Sequence, residues 1–158
     1  MKRKLLTKSL PALALALSAI AAHAAKPQIF SIEPDDGFGA VPAEIEVLLS
    51  HVRAADDHCH LIGKPVQLAP GGKVPGLLVK TADGGGWGSA MGPVWLVRTG
   101  NKPQLVLDQG GTSLQLGPAV RHGLYEVILE EGNAGSSITN YWSYNGRKYA
   151  MRKRVVHW

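Results

Sequence analysis

Apolar residues recur at helical spacing near residue 45. The stripe consists of Ile45, Leu48, Leu49 and Val52. Intervals of three and four residues place these side chains on one face of a helix. Pro42 suits the first helical position, because the N–H of that residue has no partner within a helix. Glu44 lies in the first turn, where a negative charge interacts favourably with the helix dipole. The pattern predicts a helix over residues 42–55.

After Pro65 the pattern changes to short runs of branched and aromatic residues, separated by glycine, proline and asparagine. Such runs indicate strands, and the lack of helical segments between them favours antiparallel pairing. The runs are Leu77–Val79, Val94–Val97, Gln104–Leu107, Ser113–Leu116 and Tyr125–Leu129. We therefore expect an α+β fold in which one N-terminal helix packs on a small antiparallel β-sheet. Residues 41–158 would form this single domain, preceded by an extended lead-in at residues 25–40.

The final predicted element is a hairpin around Asn145-Gly146. Asn-Gly between strand-forming residues favours a type I′ turn, because both central residues of that turn need a positive φ. This turn would set Tyr144 opposite Arg147 and Trp142 opposite Tyr149. An aromatic pair across the two strands would then help to hold the sheet.

The first 24 residues have the pattern of a cleavable export signal. Four basic residues precede an apolar stretch over residues 10–21, and Ala22-His23-Ala24 forms an A-x-A cleavage site. The apolar stretch is shorter than the roughly 20 residues that span a membrane. We expect cleavage after Ala24, a periplasmic location and no stable membrane anchor.

Removal of this signal changes the charge of the protein. The four basic residues of the signal account for all but one of the five net positive charges of the chain. A nearly neutral mature protein argues against a nucleic-acid partner, since such proteins usually carry a basic face. The one cysteine, Cys59, cannot form a disulfide within the chain.

The densest set of possible metal ligands is His58-Cys59-His60, which follows Asp56 and Asp57. Imidazole and thiolate suit zinc or copper. A structural zinc site, however, usually has two separated pairs of ligands, and no second cluster follows. The simpler interpretation is a polar loop after a helix, so we expect no cofactor and keep metal binding as an alternative.

A glycine-rich segment at residues 84–92 contains Trp87 and Met91. It lacks the G-K-S/T ending of a phosphate-binding loop. Aromatic residues on loops are suitable anchors for a partner, so Trp87 and Met91 are candidate binding residues, with core packing of Trp87 as the alternative. Ser89 is not in a G-x-S-x-G motif, and no paired carboxylates have a defined separation. The sequence predicts no catalytic site.

Several blocks of sequence, in order, resemble a group of small exported bacterial proteins that end in a W-x-Y-N-G-K/R-x-Y hairpin. The blocks are Thr81–Gly86, Val94–Val97, Leu107–Gly111, His122–Tyr125 and Trp142–Tyr149. A looser similarity extends to periplasmic lysozyme inhibitors and toxin-immunity proteins, some of which carry an S-G-x-x-Y motif. This chain has Asn145-Gly146-Arg147-Lys148-Tyr149, with asparagine in place of the serine. The resemblance implies that Tyr149 contacts a protein partner. Arg147 begins a basic end at residues 147–154, which suits an acidic partner or anionic lipid headgroups, with a solvated edge strand as the alternative.

The sequence thus predicts a non-catalytic periplasmic binding protein whose partner is another envelope protein, such as a cell-wall hydrolase that it inhibits. A metal-binding envelope protein and a hydrolase with an unrecognised site are the alternatives. The oligomeric state is left open.

Overall fold

The strands of this chain form two antiparallel sheets of five strands each, and a short α-helix packs on one of them. The computed structural model describes residues 28–32, 35–53, 59–82, 91–133 and 135–158. The elements are β1 (Gln28–Ser31), β2 (Gly39–Ala40), α1 (Ala43–Ser50), β3 (Leu61–Gln67), β4 (Pro75–Thr81), β5 (Gly92–Arg98), β6 (Gln104–Gly111), β7 (Ser113–Arg121), β8 (Leu124–Asn133), β9 (Ser136–Tyr144) and β10 (Tyr149–His157). Sheet A has the order β1-β7-β8-β9-β10, and sheet B has the order β2-β3-β4-β5-β6.

The larger part of the core lies between the two sheets. Sheet B contributes side chains such as Leu78 and Leu96, and sheet A contributes Leu114, Val127 and Leu129. All five are fully buried. The two sheets therefore form a β-sandwich, in which apolar residues from both inner faces exclude water.

The second part of the core lies on the outer face of sheet B. Helix α1 places Ile45 and Leu49 against Val79, Trp95 and Val97. Strands β4 and β5 are consequently covered on both faces, and nearly all of their residues are buried. Burial on both faces explains why these strands read as continuous apolar runs instead of alternating ones.

The predicted α+β class is wrong, because the chain is mostly β. The helix is present and packs on an antiparallel sheet, but it has eight residues and ends at Ser50. Five strands in a second sheet cover the opposite face of sheet B. The expected single sheet overlooked β1 and β2, which lie in the predicted lead-in, and β3, whose Gly63 and Pro65 resemble a loop.

Pro65 is tolerated in β3 because of its position near the edge of sheet B. Strand β2 pairs only with Ile62 and Gly63, so it stops before Pro65. On the other side, Pro65 lies opposite Leu77 of β4. A proline, which has no N–H, fits a strand where one side lacks a neighbour.

The chain passes from sheet B to sheet A at Thr112, between β6 and β7. The Thr112 N–H donates to the Glu130 carbonyl at 2.7 Å, and the Ile32 N–H donates to the Thr112 carbonyl at 3.0 Å. A Cβ on Gly111 would lie 3.0 Å from the Glu130 carbonyl oxygen. The close approach of β6 to β8 at this corner therefore needs glycine.

The final hairpin exists, but its register differs from the predicted one. Tyr149 lies opposite Tyr144, and Met151 lies opposite Trp142. The loop thus contains the four residues Asn145–Lys148, and only Gly146 in it has a positive φ. The two-residue type I′ turn is wrong because the Asn145 side chain folds the loop, as described below.

The predicted export signal lies outside the described residues, as do residues 25–27 of the lead-in. Within the described ranges, no helix has the length and apolar character needed to cross a membrane.

Candidate functional site: a groove beside the final hairpin

The loop of the β9–β10 hairpin is held by the side chain of Asn145. Its Oδ1 accepts hydrogen bonds from the N–H groups of Arg147 and Lys148, both at 2.9 Å. The Asn145 N–H donates to the Lys148 carbonyl at 3.0 Å. Asparagine side chains mimic a backbone turn in this way. The loop therefore presents the exposed side chains of Arg147 and Lys148 from a fixed backbone.

The base of the hairpin is anchored in the core by Tyr149, which is 4% exposed. Its hydroxyl donates to the Tyr125 carbonyl at 2.9 Å, and its ring meets the Tyr144 ring edge-on at 5.6 Å. Burial, and to a smaller extent the neighbouring Tyr144, raises the pKa of Tyr149 well above its ordinary value of 10.0. Tyr149 is thus a neutral structural residue at physiological pH.

A groove of about 370 Å³ lies between this hairpin and strand β6. Five consecutive residues of β6, Leu105–Gln109, form one wall, and Trp142, Lys148 and Tyr149 form the other. We call this feature the hairpin groove. Because β6 is the last strand of sheet B, it has β5 on one side and no strand on the other within the described sheet.

The polar groups of the hairpin groove come from both walls. Asp108 and Lys148 are exposed, and Gln109 is half-buried. The indole Nε1 of Trp142 is buried and has no hydrogen-bond partner among the described residues. The hairpin groove thus has a mixed lining, in which polar and apolar atoms are exposed in similar amounts.

Basic residues gather at the end of the groove nearest the hairpin tip. The Gln104 side chain donates from Nε2 to the Arg147 carbonyl at 3.3 Å, which connects the β5–β6 turn to the hairpin. Arg98 lies opposite Gln104 in sheet B, and Lys102 lies two residues before it. Neither the turn at residues 99–103 nor the hairpin loop contains an acidic residue. The field at this end is therefore positive.

Of the four residues that the sequence predicted for partner binding, the structure describes three, and Met91 lies apart from the other two. Arg147 lies at the exposed hairpin tip, and Tyr149 contributes to the groove wall from the core. Met91 is half-buried immediately before β5. It is at the opposite end of β5 from Arg98, so it does not join the hairpin. Trp87 lies outside the described residues.

The predicted metal ligands do not assemble into a metal site within the described ranges. Cys59 and His60 line a shallow pocket of about 480 Å³ together with Glu46 of α1 and Arg53, three residues after it. Arg53 donates from Nη2 to the Cys59 carbonyl at 2.7 Å. No group of three histidine, cysteine or carboxylate side chains converges in the described chain. His58 is outside it.

Lys80 is buried at the end of sheet B that lies away from the hairpin. Its side chain is 1% exposed and forms an ion pair with Asp35, and Nζ donates to the Ile32 carbonyl at 2.8 Å. The Phe38 ring lies 5.0 Å from the same Nζ. These contacts tie the segment around β1 and β2 to the core, and we call them the Lys80 anchor.

The sequence pointed to Tyr149, which lines the groove, and to Arg147 at the hairpin tip, but it gave no indication of Trp142, Asp108, Gln109 or Lys148 as groove residues. The hairpin signal did place Lys148 next to Arg147. No local sequence pattern predicts that β6 lies next to the hairpin, because the two walls of the groove come from different sheets.

No protein-family model matches this chain. No curated protein and no solved structure matches it either.

Proposed function

We propose that this chain is a non-catalytic binding protein that holds a protein partner at the hairpin groove. One observation carries the proposal. A loop fixed by Asn145 presents Arg147 and Lys148 beside an open groove with a mixed polar and apolar lining. A fixed loop loses little conformational freedom when it binds, so more of its contact energy appears as affinity.

The compartment and the partner class follow from the sequence. The leader at residues 1–24 supports export to the periplasm, and the hairpin motif supports a partner such as a cell-wall hydrolase, which the protein would inhibit. N-terminal sequencing of exported protein should give Ala25 as the first residue. A membrane-bound form that retains Met1 would contradict cleavage and the periplasmic assignment.

The test of the binding site is a matched pair of charge reversals. Arg147→Glu/Lys148→Glu alters the groove, and Arg152→Glu/Lys153→Glu makes the same charge change on exposed residues of β10 that do not line it. The immobilised proteins are exposed to periplasmic extract, and the retained proteins are identified. We expect the groove variant to lose a partner that the wild type and the β10 variant both retain.

Equal loss in both variants would show that only general charge attracts the partner. Retention by the groove variant would contradict the proposed site. For a retained hydrolase, inhibition of wall hydrolysis by the purified protein decides whether the complex is inhibitory.

A further inference from the structure

The two sheets have four edge strands, and these differ in how they are protected against pairing with another chain. Strands β1 and β2 have four and two residues, so each offers few backbone groups. Strand β10 carries Arg152, Lys153 and Arg154 and has an irregular register between Met151 and Lys153. Short length, edge cations and bulges are the usual devices that prevent pairing.

Strand β6 has little of this protection. It is eight residues long, and its sequence, QLVLDQGG, contains one charged residue, Asp108, and no lysine, arginine or proline. It does have a bulge at Val106, where the pairing with β5 shifts by one residue. Bulges are also common beside binding sites, where they redirect a strand. A long edge strand that has one charged side chain and lines a groove is the arrangement expected of a strand acceptor.

The shape of the hairpin groove fits an extended chain. Its β6 wall consists of Leu105–Gln109 in unbroken sequence, which corresponds to a length of roughly 13 Å along the strand. A bound strand would pair with backbone groups along this wall. Its alternate side chains would face the opposite wall, where Trp142, Lys148 and Tyr149 lie.

The charge at the groove defines the side chains that such a strand needs. Arg147 and Lys148 are exposed at the hairpin tip, and Arg98 and Lys102 lie at the adjoining turn. Asp108 is the one acidic residue among those that line the groove. Complementarity therefore favours a partner strand with carboxylate side chains.

The geometry points to strand addition: the hairpin groove binds an extended acidic segment of the partner protein, which pairs with the free edge of β6 as a sixth strand of sheet B. This inference rests on the proposed function and specifies how the same groove recognises its partner. Backbone hydrogen bonds supply affinity in this mode, and the charged rim supplies selectivity.

The test uses three synthetic eight-residue peptides with the purified protein. The first alternates glutamate and valine, the second has lysine in place of glutamate, and the third is the first peptide with every backbone nitrogen methylated. We expect the first peptide to bind and to protect amides of residues 105–109 from hydrogen exchange. The methylated analogue keeps the side chains but cannot donate, so its affinity should be lower by about tenfold or more. The lysine peptide should bind more weakly by a similar factor.

Protection of β10 amides instead of β6, equal binding of the methylated analogue or absence of binding by the first peptide would overturn strand addition. The Arg147→Glu/Lys148→Glu variant separates this failure from failure of the proposed function. If the variant still loses the captured partner while methylation of the peptide has no effect, the groove is the binding site and strand addition is wrong. If the variant binds both the acidic peptide and the captured partner as strongly as the wild type does, both proposals are wrong.

Discussion

Lys80, in strand β4, and Lys148, in the hairpin loop, have opposite environments. Lys80 is 1% exposed and is paired with Asp35, Ile32 and Phe38. Lys148 is exposed at the rim of the hairpin groove. The two lysines lie toward opposite ends of sheet B. Lys80 is near the end of β4, whereas Gly76, near its start, pairs with Arg98 at the hairpin end of the sheet.

The difference shows that the role of a cation depends on the ion pairs and hydrogen bonds that it already forms within the chain. The charge of Lys80 is neutralised within the chain, so it stabilises the N-terminal segment and has little capacity for a ligand. The cations at the hairpin tip are exposed to solvent, so their charge is available to a partner. Reversing the charge of the buried Lys80 should therefore change stability much more than reversing the charges of the exposed Arg147 and Lys148.

The largest effect is expected for Lys80→Glu. This change places a carboxylate in a buried site that already contains the Asp35 carboxylate and the Ile32 carbonyl. An uncompensated buried charge costs about 3–5 kcal/mol, a large fraction of a total stability of about 5–15 kcal/mol. We expect the variant either to be unfolded without urea or to unfold at a much lower urea concentration than the wild type. An unchanged urea midpoint would show that Lys80 is not enclosed in solution.

A smaller loss is expected for Asp35→Ala, which leaves the buried cation with the Ile32 carbonyl and the Phe38 ring. The Asp35 side chain is 36% exposed, so water replaces part of the lost contact. Hydrogen bonds to charged groups contribute about 1.5–3 kcal/mol, and we expect a loss in that range. Adding Lys80→Met should recover most of it, because an apolar side chain of similar length needs no counter-charge. A double variant no more stable than Asp35→Ala would contradict this coupling.

The Lys80 anchor also illustrates which features the sequence could predict. The runs Leu77–Val79 and Val94–Val97 identified β4 and β5, because both faces of these strands are buried and demand apolar side chains. The next residue, Lys80, resembles an exposed strand end. Its burial depends on Asp35, 45 residues earlier in the chain, and local patterns contain no information on such a contact.

Local patterns failed to indicate strand β3 and the hairpin groove for similar reasons. Gly63 and Pro65 concealed β3, although the short β2 leaves room for a proline in that strand. The Asn-Gly signal located the hairpin correctly but suggested the wrong turn, because the Asn145 side chain replaces a backbone turn. The groove joins Asp108 to Trp142 across two sheets, and that juxtaposition follows from topology alone.

At the base of the hairpin, Tyr149→Phe should cost about 1 kcal/mol at pH 7, because it removes the hydrogen bond to the Tyr125 carbonyl. The pKa of Tyr149 is raised in the folded chain, so below pH 10 the side chain is neutral in both folded and unfolded states. Above about pH 10 the unfolded chain releases this proton and the folded chain keeps it, so stability falls as pH rises. The wild type should lose more stability than Tyr149→Phe between about pH 10 and 11.5. Urea unfolding at each pH measures this difference, and parallel curves would contradict the raised pKa.

The smallest effect on stability is expected at the hairpin tip. Arg147→Glu/Lys148→Glu leaves the Asn145 hydrogen bonds intact, because they involve only backbone N–H and carbonyl groups of these two residues. Surface substitutions of this kind usually change the free energy of unfolding by no more than about 0.5 kcal/mol. Thermal unfolding should thus resemble that of the wild type, and the exposed carboxylates should repel an acidic partner. A variant that loses stability as severely as Lys80→Glu would show that the tip cations hold the fold together, and loss of partner binding could then no longer be attributed to the groove.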